Sequence, residues 1–130
     1  MSSANILIID DEPGIRDILT RIFSERGYTT DSAADAKSAL AKYAHNSYDL
    51  TIIDLKLPKI SGKKLYEMMG KRYPSSARRV LFITGDTITQ STQDFLDSTG
   101  KPYLTKPFNS AVVLELVEQI LAGKVATAVS

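Results

Sequence analysis

Apolar residues fall into short solid runs separated by longer stretches with helical spacing. Asn5 to Ile9 reads as a first strand. Ile15, Ile18, Leu19, Ile22 and Phe23 then recur three and four apart, as one face of a helix, and Gly27 is placed to end it. Tyr28 to Ser32 predicts a weaker strand with the character of a sheet edge. Ala36, Ala39, Leu40, Tyr43 and Ala44 form a second helical stripe. Leu50 to Ile53 predicts a third strand, followed by a loop holding Pro58 and Ser61-Gly62. Leu65, Met68, Met69 and Arg72 mark a third helix, stopped before Pro74. Val80 to Ile83 predicts a fourth strand, and a polar helix follows with Ile88, Thr92, Phe95 and Leu96 inward. Tyr103 to Thr105 is a short fifth strand, with Pro102 at its start, where proline is tolerated. Asn109 is placed to cap a last helix whose Val113, Leu116, Val117 and Ile120 face the core.

Solid apolar runs joined by helices predict parallel strands buried on both faces. Five strands alternating with five helices predict an α/β fold, a doubly wound five-stranded parallel sheet with helices on both faces. No repeat or linker interrupts the pattern. Residues 1–123 are expected to form one domain, and 124–130 a short frayed C-terminal tail.

Composition narrows the chemistry. The 130 residues are 43% hydrophobic and 24% charged, which suits a globular domain with a proper core. A formal net charge of +1 gives no reason to expect nucleic-acid contact or a membrane surface. The absence of cysteine excludes disulfides and thiolate sites, and His45, the single histidine, excludes a multi-histidine metal site. No apolar run approaches the ~20 residues of a membrane span, so no membrane insertion is expected. A cytoplasmic location is expected as well.

The candidate chemistry lies at the strand ends. Asp10 and Asp11 follow the first apolar run, Asp54 the third, Thr84 the fourth, and Lys106 the fifth. In parallel α/β sheets, ligand sites form outside the carboxyl ends of the strands. Two carboxylates at ~4 Å repel by roughly 4 kcal/mol at an effective dielectric near 20, so positive charge is needed there. A hard divalent cation and Lys106 are the candidates. Taken singly, each residue has a plainer reading. Asp11 with Pro13 reads as a helix cap, Asp54 as a turn residue, Lys106 as a solvated loop residue, and Thr84 as bonding local backbone. Together they suit phosphoryl transfer, where catalysis is mostly positioning and charge neutralisation.

Ile8-Ile9-Asp10-Asp11-Glu12, Asp54-x-x-Leu57-Pro58 with Ser61-Gly62, Thr84-Gly85, and Tyr103-Leu104-Thr105-Lys106-Pro107-Phe108 occur in that order. Through them the chain resembles the receiver domain of two-component response regulators, up to about Gly123. The resemblance implies the flavodoxin-like strand order 2-1-3-4-5 and makes Asp54 the phosphoacceptor, forming an acyl phosphate. It implies Mg²⁺ as cofactor, ligated by Asp11 and Asp54, by Asp10 through a water, and by the Lys56 backbone carbonyl. Phosphoryl oxygens would meet Thr84, Lys106 and the Lys56 and Gly85 amides. The Lys106–Pro107 bond would be cis. Thr84 and Tyr103 would form the switch, changing the face made by the fourth helix, fifth strand and fifth helix. A histidine kinase or histidine phosphotransfer protein would be the partner, and a homodimer through that face is a further expectation. Such a domain is not an enzyme; it catalyses only its own phosphorylation and dephosphorylation.

Some positions depart from the family pattern. Gly85 stands where alanine is frequent, and Lys56 and Asp86 occupy the two variable positions flanking the phosphoryl site, where they either pair or stay solvated. Asp97 to Pro102, with Thr84-Gly85-Asp86, resembles receivers attached to the C-terminus of hybrid sensor kinases. The basic residues from Lys63 to Arg79 read as a solvated helix face, and His45 as an exposed helix end rather than a phosphodonor. Two other functions compete. One is a degenerate receiver acting as an interaction scaffold, against which the full set of site residues argues. The other is a small Mg²⁺-dependent phosphatase with an aspartyl-phosphate intermediate, which typically needs a second aspartate where this chain has Lys56.

Overall fold

The structure is a computed structural model, and it describes residues 4–85 and 87–123. Five strands and five helices alternate: β1 (Asn5–Ile9), α1 (Pro13–Ser24), β2 (Thr29–Ala33), α2 (Ala36–His45), β3 (Leu50–Asp54), α3 (Gly62–Arg72), β4 (Val80–Thr84), α4 (Gln90–Thr99), β5 (Tyr103–Thr105) and α5 (Ser110–Leu121). A 3₁₀ turn at Ser76–Arg78 precedes β4. The strands form one parallel sheet in the order β2-β1-β3-β4-β5, as the resemblance implies. The expected tail, 124–130, lies outside the described residues.

Alternation along the strands divides the interior into two cores. Ile6, Ile8, Leu50, Ile52, Leu81 and Ile83 point to one face and pack with Leu19 and Phe23 of α1 and Val113, Val117 and Ile120 of α5. Leu7, Ile9, Ile53, Val80 and Phe82 point to the other, where α2, α3 and α4 supply Ala39, Tyr43, Leu65, Met69, Phe95 and Leu96. On this second face the Phe82 ring meets Tyr66 and Phe95 edge-on, at 5.2 and 5.4 Å between centroids. Every residue of β3 and β4 is buried, which places those strands at the centre of the sheet.

Several boundaries differ from the expectation. β2 runs from Thr29 to Ala33 rather than from Tyr28, because the Tyr28 N–H bonds back to the Phe23 carbonyl and is lost to the ladder. Ile18 is 49% exposed despite its place in the apolar stripe of α1, and Ala44 is exposed in α2. Ile88 lies outside α4, whose cap is Thr89, with Oγ1 accepting from the Thr92 N–H. Asp11 is not a cap: α1 begins at Pro13 behind Glu12, which makes no capping side-chain bond. Asn109 caps α5 as expected, Oδ1 accepting from the Ala111 N–H at 2.7 Å. His45 is the exposed last residue of α2.

Candidate functional site

The site is built from strand ends. In-register pairing of β1 with β3 and of β3 with β4 brings Ile9 beside Ile53, and Asp54 beside Ile83. The residues that follow Ile9, end β3 and β4, and follow β5 therefore reach one edge of the sheet. There Asp10, Asp54 and Thr84 are buried, at 1%, 3% and 6% exposure, while Asp11 and Glu12 stay in contact with water.

Backbone amides fix the two buried carboxylates. Asp10 Oδ1 accepts from the Glu12 N–H at 2.9 Å, and Asp54 Oδ1 accepts from the Lys56 N–H at 2.9 Å. Arg16 of α1 donates from Nη1 to the Asp10 carbonyl at 2.7 Å, tying the helix to the strand end. Behind Asp54, Gly62 opens α3 where the chain doubles back, and its N–H donates to the Leu55 carbonyl. A Cβ on Gly62 would meet the Asp54 carbonyl and lie 2.7 Å from Leu55 Cα, so only glycine fits there.

Lys106 enters from the far side of β4. Its own N–H donates to the Thr84 carbonyl at 2.8 Å, and the Lys106–Pro107 peptide is cis. The ammonium lies 2.9 Å from Asp54 Oδ2 and 3.2 Å from Asp10 Oδ2, and it also donates to Glu12. Burial disfavours this cation. Hydrogen bonds to Glu12 and Asp54, with the charges of Asp54 and Asp10, outweigh that and hold it above the ordinary lysine range. Asp10 is also raised, which for an acid disfavours the charged form. Its burial, reinforced by the Asp54 charge, pushes the carboxyl up to about 6 against the Glu12 N–H and Lys106, which pull it down.

One carboxylate oxygen from each of Asp10, Asp11, Glu12 and Asp54 lies within 4.8 Å of the other three. Asp10 Oδ2 is buried and accepts no hydrogen bond, although Lys106 is its ion-pair partner. An oxygen-only donor set of this density, with a buried acceptor left over, fits a hard divalent cation of the Mg²⁺ type.

The structure thus brings together Asp10, Asp11, Asp54 and Lys106. Thr84 stands at the end of the adjacent strand, and Gly85 follows it, exposed. Tyr103 is half-buried, opposite Phe82 in register, and packs against the core beneath α2, α3 and α4. The Lys56 amide is engaged by Asp54, whereas its side chain is exposed. Its suggested partner Asp86 lies outside the described residues. Glu12 and Arg16 had no role in the sequence reading; the run of three acids before Pro13 was the available signal for Glu12.

Comparison with known proteins agrees with this geometry. The family model described as the response regulator receiver domain matches residues 6–118. The transcriptional regulatory protein TcrA of Mycobacterium tuberculosis is 32% identical over 109 residues, covering 84% of this chain and 42% of that protein. This chain spans about half or less of the length of the curated relatives TcrA, VanRB and DltR. Among solved structures, a CheY-like receiver domain protein from Methanospirillum hungatei superposes with a TM-score of 0.85 at 31% identity, covering 95% of this chain and 97% of that one. The signal receiver domain of an HD domain-containing protein from Pseudomonas fluorescens does so with a TM-score of 0.84 at 28% identity, covering 95% and 98%. A parallel sheet in the order 2-1-3-4-5, with acids and a lysine gathered at its carboxyl edge, meets a family match over most of the chain: the protein belongs to the response regulator receiver domain family.

Proposed function

We propose that the domain is a phosphoacceptor switch in a two-component phosphorelay and that Asp54 takes the phosphoryl group. One observation carries the reading: Asp54 is a buried carboxylate held 2.9 Å from the Lys106 ammonium inside a cluster of acids. In the proposed step an Asp54 carboxylate oxygen attacks phosphorus, the P–N bond of a partner's phosphohistidine, protonated on its other ring nitrogen, breaks, and neutral imidazole leaves with the bonding pair. Lys106 balances charge on Asp54 beforehand and on the phosphoryl oxygens afterwards. The Thr84 hydroxyl and the Gly85 and Lys56 amides donate to those oxygens; the Lys56 amide can do so because phosphorylation of Asp54 changes its present acceptor.

Asp11 and Asp54 would hold Mg²⁺ directly, Asp10 through a water, and Lys56 through its carbonyl. When bound, the cation supplies the positive charge that a phosphoryl group needs beside three or four acids. Movement of Thr84 toward the phosphoryl group vacates space for Tyr103 and biases the α4–β5–α5 face between two states, which a homodimer or effector can read. The donor is a histidine kinase or histidine phosphotransfer protein in the cytoplasm. The domain turns over no external substrate: Lys56 stands where an aspartyl-phosphate phosphatase needs its acid.

Intact-mass spectrometry after incubation with acetyl phosphate tests the reading. A single Mg²⁺-dependent phosphoryl adduct on wild type, absent from Asp54→Asn, is expected. An adduct that persists on Asp54→Asn would move the acceptor elsewhere, and no adduct on wild type with hydrolysis slowed would favour the scaffold.

A further inference from the structure

Glu12 sits at the mouth of the site with its side chain 57% exposed, and its carboxylate hydrogen-bonds the Lys106 ammonium across 94 residues of sequence. A lysine ammonium has three donors. Here it faces three carboxylates: Glu12, Asp54 at 2.9 Å and Asp10 at 3.2 Å. Glu12 and Asp54 each accept a hydrogen bond from it and Asp10 Oδ2 is its ion-pair partner, so a phosphoryl oxygen arriving beside Lys106 competes with these acids for the ammonium. Asp10 and Asp54 are buried at strand ends and pinned by the Glu12 and Lys56 amides, so leaving either without its cation is costly. Glu12 makes no capping bond and opens to water, which can solvate its carboxylate on release.

We propose that Glu12 is a positioning residue acting through Lys106: a latch that holds the ammonium at the mouth of the unphosphorylated site and competes with the arriving phosphoryl group for it. The inference rests on Asp54 being the phosphoacceptor. A consequence is that phosphorylation proceeds against Glu12, both through the bond it must give up and through its negative charge facing an anionic donor.

Two substitutions separate contact from charge. Glu12→Gln keeps the length and removes the charge; Glu12→Asp keeps the charge but is one methylene too short to hold the same bond. Neither removes a buried group or a cap, so both variants fold. The probes are acetyl phosphate with Mg²⁺ for labelling rate and beryllium fluoride with Mg²⁺, followed by ¹⁹F NMR, for occupancy without donor chemistry. The Lys106 side-chain ammonium signal, recorded without either probe, reports the contact itself.

Both variants are expected to shift the Lys106 signal and to gain roughly two- to fivefold in labelling rate and beryllium fluoride affinity, the scale of an exposed ion pair. Glu12→Asp should gain less than Glu12→Gln, because its charge remains. Wild type labelled on Asp54 with variants no faster would overturn the latch alone. A loss of Mg²⁺ affinity of about tenfold or more, with slower labelling, would also overturn it and make Glu12 part of the metal site. Failure of wild type to be labelled would instead strike the phosphoacceptor reading and take the latch with it.

Discussion

Asp10 concentrates the electrostatic cost of this site in one residue. It is buried, shares its surroundings with Asp54, and keeps one oxygen without a hydrogen bond. Its folded value of about 6 lies above the ordinary 3.8 of an aspartate, so the folded state binds its proton more tightly than the unfolded chain does. Stability from this group is therefore fully present below about pH 4 and is lost as the pH rises through about 6. Converted at 1.36 kcal/mol per pKa unit, the loss is at most about 3 kcal/mol. We predict that in EDTA at pH 7.5 Asp10→Asn is more stable than wild type by up to that amount, less the lost ion pair with Lys106. The advantage should vanish toward pH 4. Urea denaturation at the two pH values checks this, and an equal difference at both would show that Asp10 does not carry the strain. At the same scale, the Glu12–Lys106 bond could not be read from sequence. It depends on two long side chains meeting across the mouth, whereas Asp10, Asp54 and Lys106 followed from strand ends alone.

Elements place these residues through local signals of unequal strength. Asp35, Ser61, Thr89 and Asn109 each cap the helix that follows, with side-chain oxygens accepting amides of the first turn. The Asn109 cap and the glycine turn at Gly27, which has φ +85, are short-range chemistry that the sequence locates. Boundaries decided by competition are harder. Tyr28 reads as strand by residue type, yet its amide completes the end of α1. Ile88 reads as helix, but Thr89 caps and so starts α4 after it. Ile18 fits the stripe of α1 and still faces water, because periodicity says which side an apolar residue takes but not how far the partner element reaches. Gly62 is the element-scale feature closest to function, since α3 starts against the backbone of Asp54 and Leu55. Gly62→Ala should destabilise the fold by roughly 1–3 kcal/mol as that backbone is pushed aside. A urea midpoint unchanged from wild type would mean the loop yields freely.

For the whole molecule, one sheet with two cores holds the site rigid from below and leaves its upper edge open. Alternation in β1, β3 and β4 sends side chains to both faces at once, and full burial of β3 and β4 follows from their central position. That much was readable, because solid apolar runs with intervening helices admit few topologies. The strand order came only with the family resemblance, since periodicity does not say which strands are neighbours. Four carboxylates against one ammonium leave the assembled domain with local charge to neutralise. Mg²⁺ should therefore raise the melting temperature, with a gain of ~2.7 kcal/mol at 100-fold over its dissociation constant. Asp11→Ala should abolish most of that gain, and an unchanged shift would remove Asp11 from the ligand set.

The central claim is that Asp54 itself carries the phosphoryl group. Borohydride reduction of protein treated with acetyl phosphate and Mg²⁺, followed by peptide mass mapping, tests it most directly, because reduction converts an aspartyl phosphate to homoserine. Homoserine at position 54, in wild type and only with Mg²⁺ and donor present, is the expected result. Unmodified Asp54 in protein that carries a phosphoryl adduct, or homoserine at another aspartate, would contradict it.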